Sequence, residues 1–234
     1  MNKYIICAYR EWNIKLFNEK ISKLPYEFYL ITNKNELTIN RLKEIRPEFI
    51  FFLDWSWLVS KEIITKFNCV GFHCSPLPEF RGGSPIQNQI IHGIEETKLT
   101  AFLMNEEIDA GDILLQEDLS LKGHLKDIFN RICELSYIMI QKIIEGKYIP
   151  KKQEGNVTYF KRRTPKESEL KIEDFNNNLE YIYNFIRMLE DPYPNAFIKL
   201  ADKKIIFKEA EYDSSIKKIR VIAEIVSAED NKKE

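Results

Sequence analysis

Gly71-Phe72-His73-Cys74-Ser75-Pro76-Leu77-Pro78-Glu79-Phe80-Arg81-Gly82-Gly83-Ser84-Pro85-Ile86-Gln87-Asn88 decides how the rest of the chain is read. The residues that lead into it, Cys69-Val70-Gly71-Phe72, form a short apolar run, the signature of a strand buried on both faces, and deliver His73 to its exit. Pro76, Pro78, Gly82 and Gly83 exclude regular structure from Cys74 to Gly83. Ser84-Pro85 supplies an N-cap and a proline suited to a first helical position, so a helix is expected through about Ile91, ending near Gly93.

Upstream, strands and helices alternate. Tyr4 to Ala8, Glu27 to Ile31 and Phe49 to Leu53 read as strands, the last of them the most apolar. Between them, Ile14, Phe17, Ile21 and Leu24 predict a helix stopped by Pro25, and Leu37 to Ile45 a second closed by Pro47. A third helix is expected from Leu58 to Phe67. Downstream, Lys98 to Asn105 and Asp112 to Leu119 read as strands around the turn Glu106-Glu107-Ile108-Asp109-Ala110-Gly111. The apolar stripe Leu125, Ile128, Phe129, Ile132, Met139 and Ile143 marks the longest helix, ended by Gly146. From about Lys151 the chain turns polar, with strand-like runs at Val157 to Phe160, Ala196 to Leu200, Lys204 to Phe207 and Ile219 to Val226, and a helix from Leu179 to Leu189. The lysine-rich end, residues 231–234, is expected to fray. The predicted fold is α/β: an open Rossmann-like, mostly parallel sheet in residues 1–160, the catalytic domain, with a small α+β C-terminal region in residues 161–234.

At 234 residues there is room for one sizeable core and an appendage. Lys+Arg 35 against Asp+Glu 36 gives no net basic charge, which argues against a broad nucleic-acid surface. No run approaches a membrane span or a secretory leader, so a cytoplasmic protein without membrane contact is expected. Cys7, Cys69, Cys74 and Cys133 lack CxxC spacing, and three scattered histidines suggest no metal site.

The candidate chemistry centres on His73, which lies where open α/β sheets bind ligands, as do Tyr9, Arg10 and Trp12 beyond the first strand. Arg10, or Arg81 beside the Ser84 helix start, would suit an anionic substrate. Asp54-Trp55-Ser56-Trp57 places two tryptophans at a strand exit, where packing under the next helix is the plain alternative. His92 and His124 have no carboxylate at a recognisable spacing and are expected to be structural or exposed.

Together, the His73 loop and Ile108-Asp109-Ala110-Gly111-Asp112-Ile113-Leu114 resemble the folate-dependent formyltransferases. The resemblance implies His73 and Asp109 as the catalytic pair, His73 polarising the formyl oxygen or shuttling a proton and Asp109 orienting it. It implies N10-formyltetrahydrofolate as co-substrate, its pterin between Asp54, Trp55, Ser56 and Trp57 on one side and Met104, Asn105, Glu106, Glu107 and Ile108 on the other. The family's usual asparagine is replaced here by Gly71, which removes an oxyanion donor worth roughly 100- to 1,000-fold in rate. Ser75, Asn105 and backbone N–H groups are candidate replacements.

Within the family, Tyr9-Arg10-Glu11-Trp12, Arg81-Gly82-Gly83-Ser84-Pro85-Ile86-Gln87-Asn88 and Lys161-Arg162-Arg163-Thr164-Pro165 resemble the nucleotide-sugar N-formyltransferases. That resemblance implies an acceptor such as dTDP-4-amino-4,6-dideoxyglucose, in O-antigen and lipopolysaccharide biosynthesis, held by Tyr9, Arg10, Trp12, Ser75, Arg81, Gly82, Gly83 and Gln87. The partners would be the nucleotide sugar and folate, with no nucleic acid, and a homodimer is compatible. The methionyl-tRNA formyltransferases are the rival, because Arg-Gly-x-x-Pro-Ile-Gln occurs there too. They rank lower on charge and on the short stretch after Pro165. A catalytically impaired folate-binding protein is the reading from another class.

Overall fold

The computed structural model describes residues 2–227, so the expected fraying of residues 231–234 lies outside the described part. The chain divides into two compact units, one made of residues through Gly82, Glu96–Ser120 and Phe129–Tyr159, the other of Gly83–Glu95, Leu121–Ile128 and the residues from Phe160 on.

In the first unit, β1 (Lys3–Cys7), β2 (Glu27–Ile31), β3 (Phe49–Phe52) and β4 (Cys69–His73) alternate with α1 (Glu11–Glu19), α2 (Ile39–Ile45) and α3 (Lys61–Lys66). Each helix carries the chain back, so successive strands run parallel. Two further strands complete the sheet, β6 (Glu96–Leu103) and β7 (Ile113–Ser120), whose short connection makes them antiparallel. A two-residue strand, β5 (Arg81–Gly82), precedes them. The sheet is six-stranded, in the order β2-β1-β3-β4-β6-β7. It is parallel from β2 to β4 and antiparallel beyond. This is the open Rossmann-like sheet expected. Ile5, Ile6, Ile50 and Phe51 are fully buried, as runs without polar alternation require.

Two helices depart from the local predictions, one beside a tertiary contact and one through a local cap. α1 stops at Glu19, and Ile21 falls in a 3-10 turn, Ile21–Lys23, well before Pro25. Its buried residues are Asn13 and Leu16 instead of Ile14 and Phe17, because Trp12 stacks on Phe129 with centroids 4.5 Å apart. α3 starts at Lys61, not Leu58, because the Ser60 side chain accepts the Ile63 N–H and caps it there, leaving Leu58 91% exposed. From Phe129 on, α5 (Leu125–Ile144) belongs to this unit and buries Ile132, Met139, Ile140 and Ile143.

The second unit holds α4 (Pro85–Ile91) and, after β8 (Tyr159–Phe160), α6 (Leu179–Arg187) with the three-stranded antiparallel sheet of β9 (Phe197–Leu200), β10 (Lys203–Asp213) and β11 (Lys218–Ser227). α6 buries Ile182, Phe185 and Ile186. This is the small α+β region expected after the main sheet. Pro85 opens α4 as predicted, but Ser84 is no cap: it sits at φ 53, ψ 48, and its Oγ accepts the Arg163 N–H at 3.1 Å. Buried Arg187 donates to the carbonyls of Leu121 and Gly123 at 2.6 and 3.1 Å, closing the turn before α5. Among the described residues, no helix is long and apolar enough to cross a membrane.

Candidate active site

β4 ends on His73, 7% exposed, whose Nε2 lies 2.7 Å from Phe80 O. A carbonyl oxygen only accepts, so Nε2 carries the hydrogen and Nδ1 is left facing elsewhere. It faces Asp109: Nδ1 to Oδ2 is 3.6 Å, too long for a hydrogen bond.

Asp109 is held from two sides. The Gly82 N–H donates to its Oδ2 at 2.8 Å. Its backbone, at φ 53, is pinned by Gln153, whose Nε2 donates to Asp109 O and to Gly111 O at 2.8 Å each. Gln153 Oε1 in turn accepts from Arg81 Nε and Nη2 at 3.0 and 2.6 Å, and Arg81 Nη1 donates to the Tyr159 hydroxyl at 2.9 Å. Gly111 is required, because a Cβ there would lie 1.6 Å from Leu103 O. Left unpaired, each of these carbonyls would cost about 1–3 kcal/mol, so the network fixes the turn as well as filling it.

Several residues expected to meet ligands have other work. Arg81 is 7% exposed and committed to Gln153 and Tyr159, which corrects its reading as an anion site. Ser75 is fully buried, its hydroxyl donating to Glu79 O at 2.6 Å and its carbonyl accepting from Thr100, so it holds the loop and cannot replace the missing oxyanion donor. Trp12 packs on Phe129. Gly83 is needed for a close approach, a Cβ there coming 2.3 Å from Arg162 Cα. Gln87 is 3% exposed.

At Gly71 the structure explains the substitution. Gly71 lies opposite Phe102 on β6, and a Cβ would sit 2.8 Å from the Phe102 ring and 3.4 Å from Met104 Cγ. An aromatic edge without a hydrogen-bond donor fills the place of an amide.

On the inferred folate side, Trp55 and Met104 pack against one apolar cluster that includes Cys7, Phe52 and Cys69. Trp55 and Trp57 meet edge to face at 4.8 Å, Tyr9 lies 4.5 Å from Trp57, and the Tyr9 and Ser56 hydroxyls are 2.7 Å apart. Trp55 Nε1 is buried without a hydrogen-bond partner, and so is Arg10 Nε, which lies 3.9 Å from Asp54 Oδ2. Buried donors normally find acceptors, and a pterin ring edge presents them, so these residues fit the folate. Asn105, Glu106, Glu107 and Ile108 are exposed; Asn105 Oδ1 accepts the Glu107 N–H, and Glu106 pairs with Lys61 at 2.6 Å.

Sequence reasoning missed Gln153, Tyr159 and Thr158, whose Oγ1 accepts the Phe80 N–H. They lie 42 to 78 residues from the groups they hold, and neutral side chains at such separations leave no pattern. His124 is structural, one of the two expectations for it: its Nδ1 lies 2.8 Å from Glu190 Oε1, a partner 66 residues away that no local spacing marks.

The formyl transferase family model matches residues 16–143, and the methionyl-tRNA formyltransferase C-terminal domain matches residues 165–226. The methionyl-tRNA formyltransferase of Clostridium acetobutylicum is 36% identical over 193 residues, covering 79% of this chain, which spans only 61% of that relative's length. A solved methionyl-tRNA formyltransferase from Clostridium thermocellum is 41% identical with a TM-score of 0.88, over 97% of this chain and 100% of that one. A 4-N formyltransferase from Francisella tularensis shares the fold at a TM-score of 0.65 and 16% identity, over 94% and 96% of the two chains.

These findings correct the sugar-nucleotide reading and the expectation of no nucleic acid: the relatives at 36% and 41% identity are tRNA formyltransferases, and the O-antigen and lipopolysaccharide setting loses its support. The Arg81 motif is common to both branches and could not separate them, and a net charge averaged over the chain hides where the charges lie. With the formyl transferase match spanning residues 16–143 of 234, and His73 and Asp109 brought together within it, the chain belongs to the formyltransferase family, whose formyl donor is N10-formyltetrahydrofolate.

Proposed function

We propose that this protein moves a formyl group from N10-formyltetrahydrofolate to the amino group of methionyl-tRNA, with residues 1–160 as the catalytic domain, residues 161–234 as an accessory region, and the cytoplasm as its compartment. The approach of His73 to a clamped Asp109 carries the chemical part of this reading. The tRNA part draws on the relatives and on local charge: Lys147, Lys151, Lys152, Lys161, Arg162, Arg163 and Lys166 crowd residues 147–166 against one acid, Glu154. Most of these cations are exposed, and a run like this attracts phosphates whatever the net charge of the chain.

In the proposed reaction the acceptor nitrogen bonds to the formyl carbon, the bond from that carbon to the folate nitrogen breaks, and one proton passes from the acceptor nitrogen to the departing one. The folate, when bound, supplies the formyl group. His73 Nδ1 is the atom placed to take and return the proton, since Nε2 is engaged by Phe80 O, and Asp109 Oδ2 stands 3.6 Å from it. Tyr9, Trp55, Trp57 and Met104 would hold the pterin and exclude water. Negative charge developing on the formyl oxygen would be met by backbone N–H groups and by Asn105, whose Oδ1 is engaged but whose amide nitrogen is not.

A second reading, a folate-binding protein with weak transfer, is favoured by one observation: the Phe102 ring beside Gly71. One assay separates the two. The chain is incubated with N10-formyltetrahydrofolate and methionyl-tRNA, and formylmethionine is measured by mass spectrometry after deacylation. Multiple turnovers support the proposal. Saturable folate binding, seen as tryptophan quenching, without formylation above background would sink the transferase reading and leave the binding one. Gly71→Asn with Phe102→Ala, which rebuilds the amide and makes room for it, is expected to raise kcat by up to roughly 100-fold if only the donor is lacking.

A further inference from the structure

Phe80 stands in the left-handed region, at φ 55, where a bulky residue is rare unless its surroundings hold it there. Its carbonyl is the group that His73 Nε2 meets at 2.7 Å, so the contacts that fix Phe80 also fix the ring. The first half of the loop is anchored elsewhere. Thr100 on β6, opposite His73, donates its hydroxyl to Ser75 O at 2.6 Å. Gln116 on β7 donates to Thr100 Oγ1 at 3.0 Å and to Leu77 O at 3.3 Å. The second half leans on a single residue. Thr158 donates its N–H to Pro78 O at 3.4 Å, accepts the Phe80 N–H on its Oγ1 at 2.8 Å, and accepts the Arg81 N–H on its carbonyl at 2.9 Å. The two backbone bonds lie on either side of Phe80, and the hydroxyl bond is the one made to Phe80 itself.

A neutral imidazole has one ring proton, and an acceptor faces each nitrogen of His73: Phe80 O at Nε2 and, 3.6 Å from Nδ1, Asp109 Oδ2. The hydrogen bond made by one nitrogen decides which of the two carries the proton. With Phe80 O in place the proton sits on Nε2, and Nδ1 keeps its lone pair. With that carbonyl turned away, the carboxylate is the acceptor that remains, and a proton on Nδ1 would block the atom placed to take one from the substrate. The same stretch of chain serves both partners: Asp109, at φ 53, is also left-handed, and Gln153 holds its carbonyl as Thr158 holds the Phe80 N–H.

We propose that Thr158 is a positioning residue for the transfer, a role that rests on His73 Nδ1 as the atom that handles the proton. By holding Phe80 in the left-handed conformation, Thr158 presents the carbonyl that keeps the His73 ring proton on Nε2 and leaves Nδ1 free.

Nitrogen-15 NMR of the histidine-labelled chain, without substrate and at a pH where the rings are neutral, tests it. The His73 signals are identified by their loss in His73→Asn. In the unaltered chain Nε2 should show the shift of a protonated ring nitrogen and Nδ1 that of an unprotonated one. Thr158→Val keeps the side-chain shape and the backbone bonds but removes the hydroxyl, and should bring the two shifts together or exchange them. Thr158→Ser keeps the hydroxyl and should restore the original pattern. In the formylation assay Thr158→Val should lower kcat roughly 10- to 100-fold with KM for the folate unmoved, and Thr158→Ser should recover most of the loss. Thermal melting confirms that each variant is folded. A ring proton on Nδ1 in the unaltered chain would overturn the proposal with no variant needed. So would a Thr158→Val chain that melts earlier with its ring shifts and kcat unmoved, which is the behaviour of ordinary loop packing. The two readings fail separately: a chain that forms no formylmethionyl-tRNA refutes the transfer, whereas the ring shifts, read without substrate, decide whether Thr158 sets the His73 proton.

Discussion

Two histidines meet carboxylates in this molecule, one in each unit, and they do so differently. In the second unit His124 closes on Glu190 at 2.8 Å, and the other Glu190 oxygen accepts the Leu125 N–H at 3.0 Å, so the carboxylate seals the first turn of α5. A negative charge there also suits the helix N-terminus. In the first unit His73 stands 3.6 Å from Asp109, with its other nitrogen held by Phe80 O and the carboxylate held by the Gly82 N–H. Both partners are fixed, yet the bond between them is not made. A closed pair has nothing left for a substrate, whereas an open one keeps a basic nitrogen and a nearby negative charge for a reacting group. The difference predicts that the first pair governs turnover and the second governs stability.

The largest effect that could break this comparison is on chemistry. His73→Asn and Asp109→Asn should each lower kcat by roughly 100- to 10,000-fold, the range of a positioned acid–base group, with melting temperature little changed. The double variant should lose little more than either single one, because groups acting as a unit are not additive. Losses within tenfold, or an additive double variant, would put His73 in the same class as His124.

A smaller effect sharpens the comparison by asking what keeps the first pair open. Gln153 holds the Asp109 turn and is itself held by Arg81. Gln153→Glu preserves an acceptor for Arg81 but removes the donor to both turn carbonyls. Expected is a fall in kcat of roughly 10- to 100-fold from misplacement of Asp109, with KM for the folate unmoved, since the Gln153 amide is engaged by Arg81 and the two turn carbonyls. A parallel loss of stability and folate affinity, with kcat preserved, would make Gln153 ordinary packing.

What could be read in the sequence follows from the same contrast. The parallel strands were legible because Ile5, Ile6, Ile50 and Phe51 lie in apolar runs with no polar alternation, a local property of the chain. The buried face of α1 and the start of α3 were not, since Trp12 on Phe129 and the Ser60 cap decided them. His73 and Asp109 were legible as a pair through resemblance alone, and the 3.6 Å gap between them could not be foreseen. The Gln153 clamp, the Phe102 ring beside Gly71 and the Glu190 partner of His124 depend on chain segments brought together only by folding. Substrate class was hardest, because it turned on a motif common to two branches and on a net charge of −1 that hides the basic run of residues 147–166.

The smallest effect concerns the closed pair and is read in stability, with turnover unchanged. His124 has its pKa raised above 6.5, first by the hydrogen bond to Glu190, against a burial that lowers it. Glu190 has its pKa raised above 4.5, first by burial, against the His124 and Leu125 bonds that lower it. A raised folded-state pKa means that the native protein holds its proton at a pH where the unfolded chain has released it. For both groups, stability is therefore lost as pH rises: from 4.5 upward through the raised value for Glu190, and from 6.5 upward through the raised value for His124. The His124 side chain is 38% exposed, so the pair is worth about 0–1 kcal/mol, under roughly tenfold in the folding equilibrium. Urea unfolding at a series of pH values should show a midpoint that falls as pH rises above 6.5. His124→Gln should flatten that part of the profile and leave the more acidic part, while Glu190→Gln should flatten both and keep a carbonyl for the Leu125 N–H. A slope above that pH unchanged by His124→Gln would mean that another group titrates there, and the closed pair would lose its claim on stability.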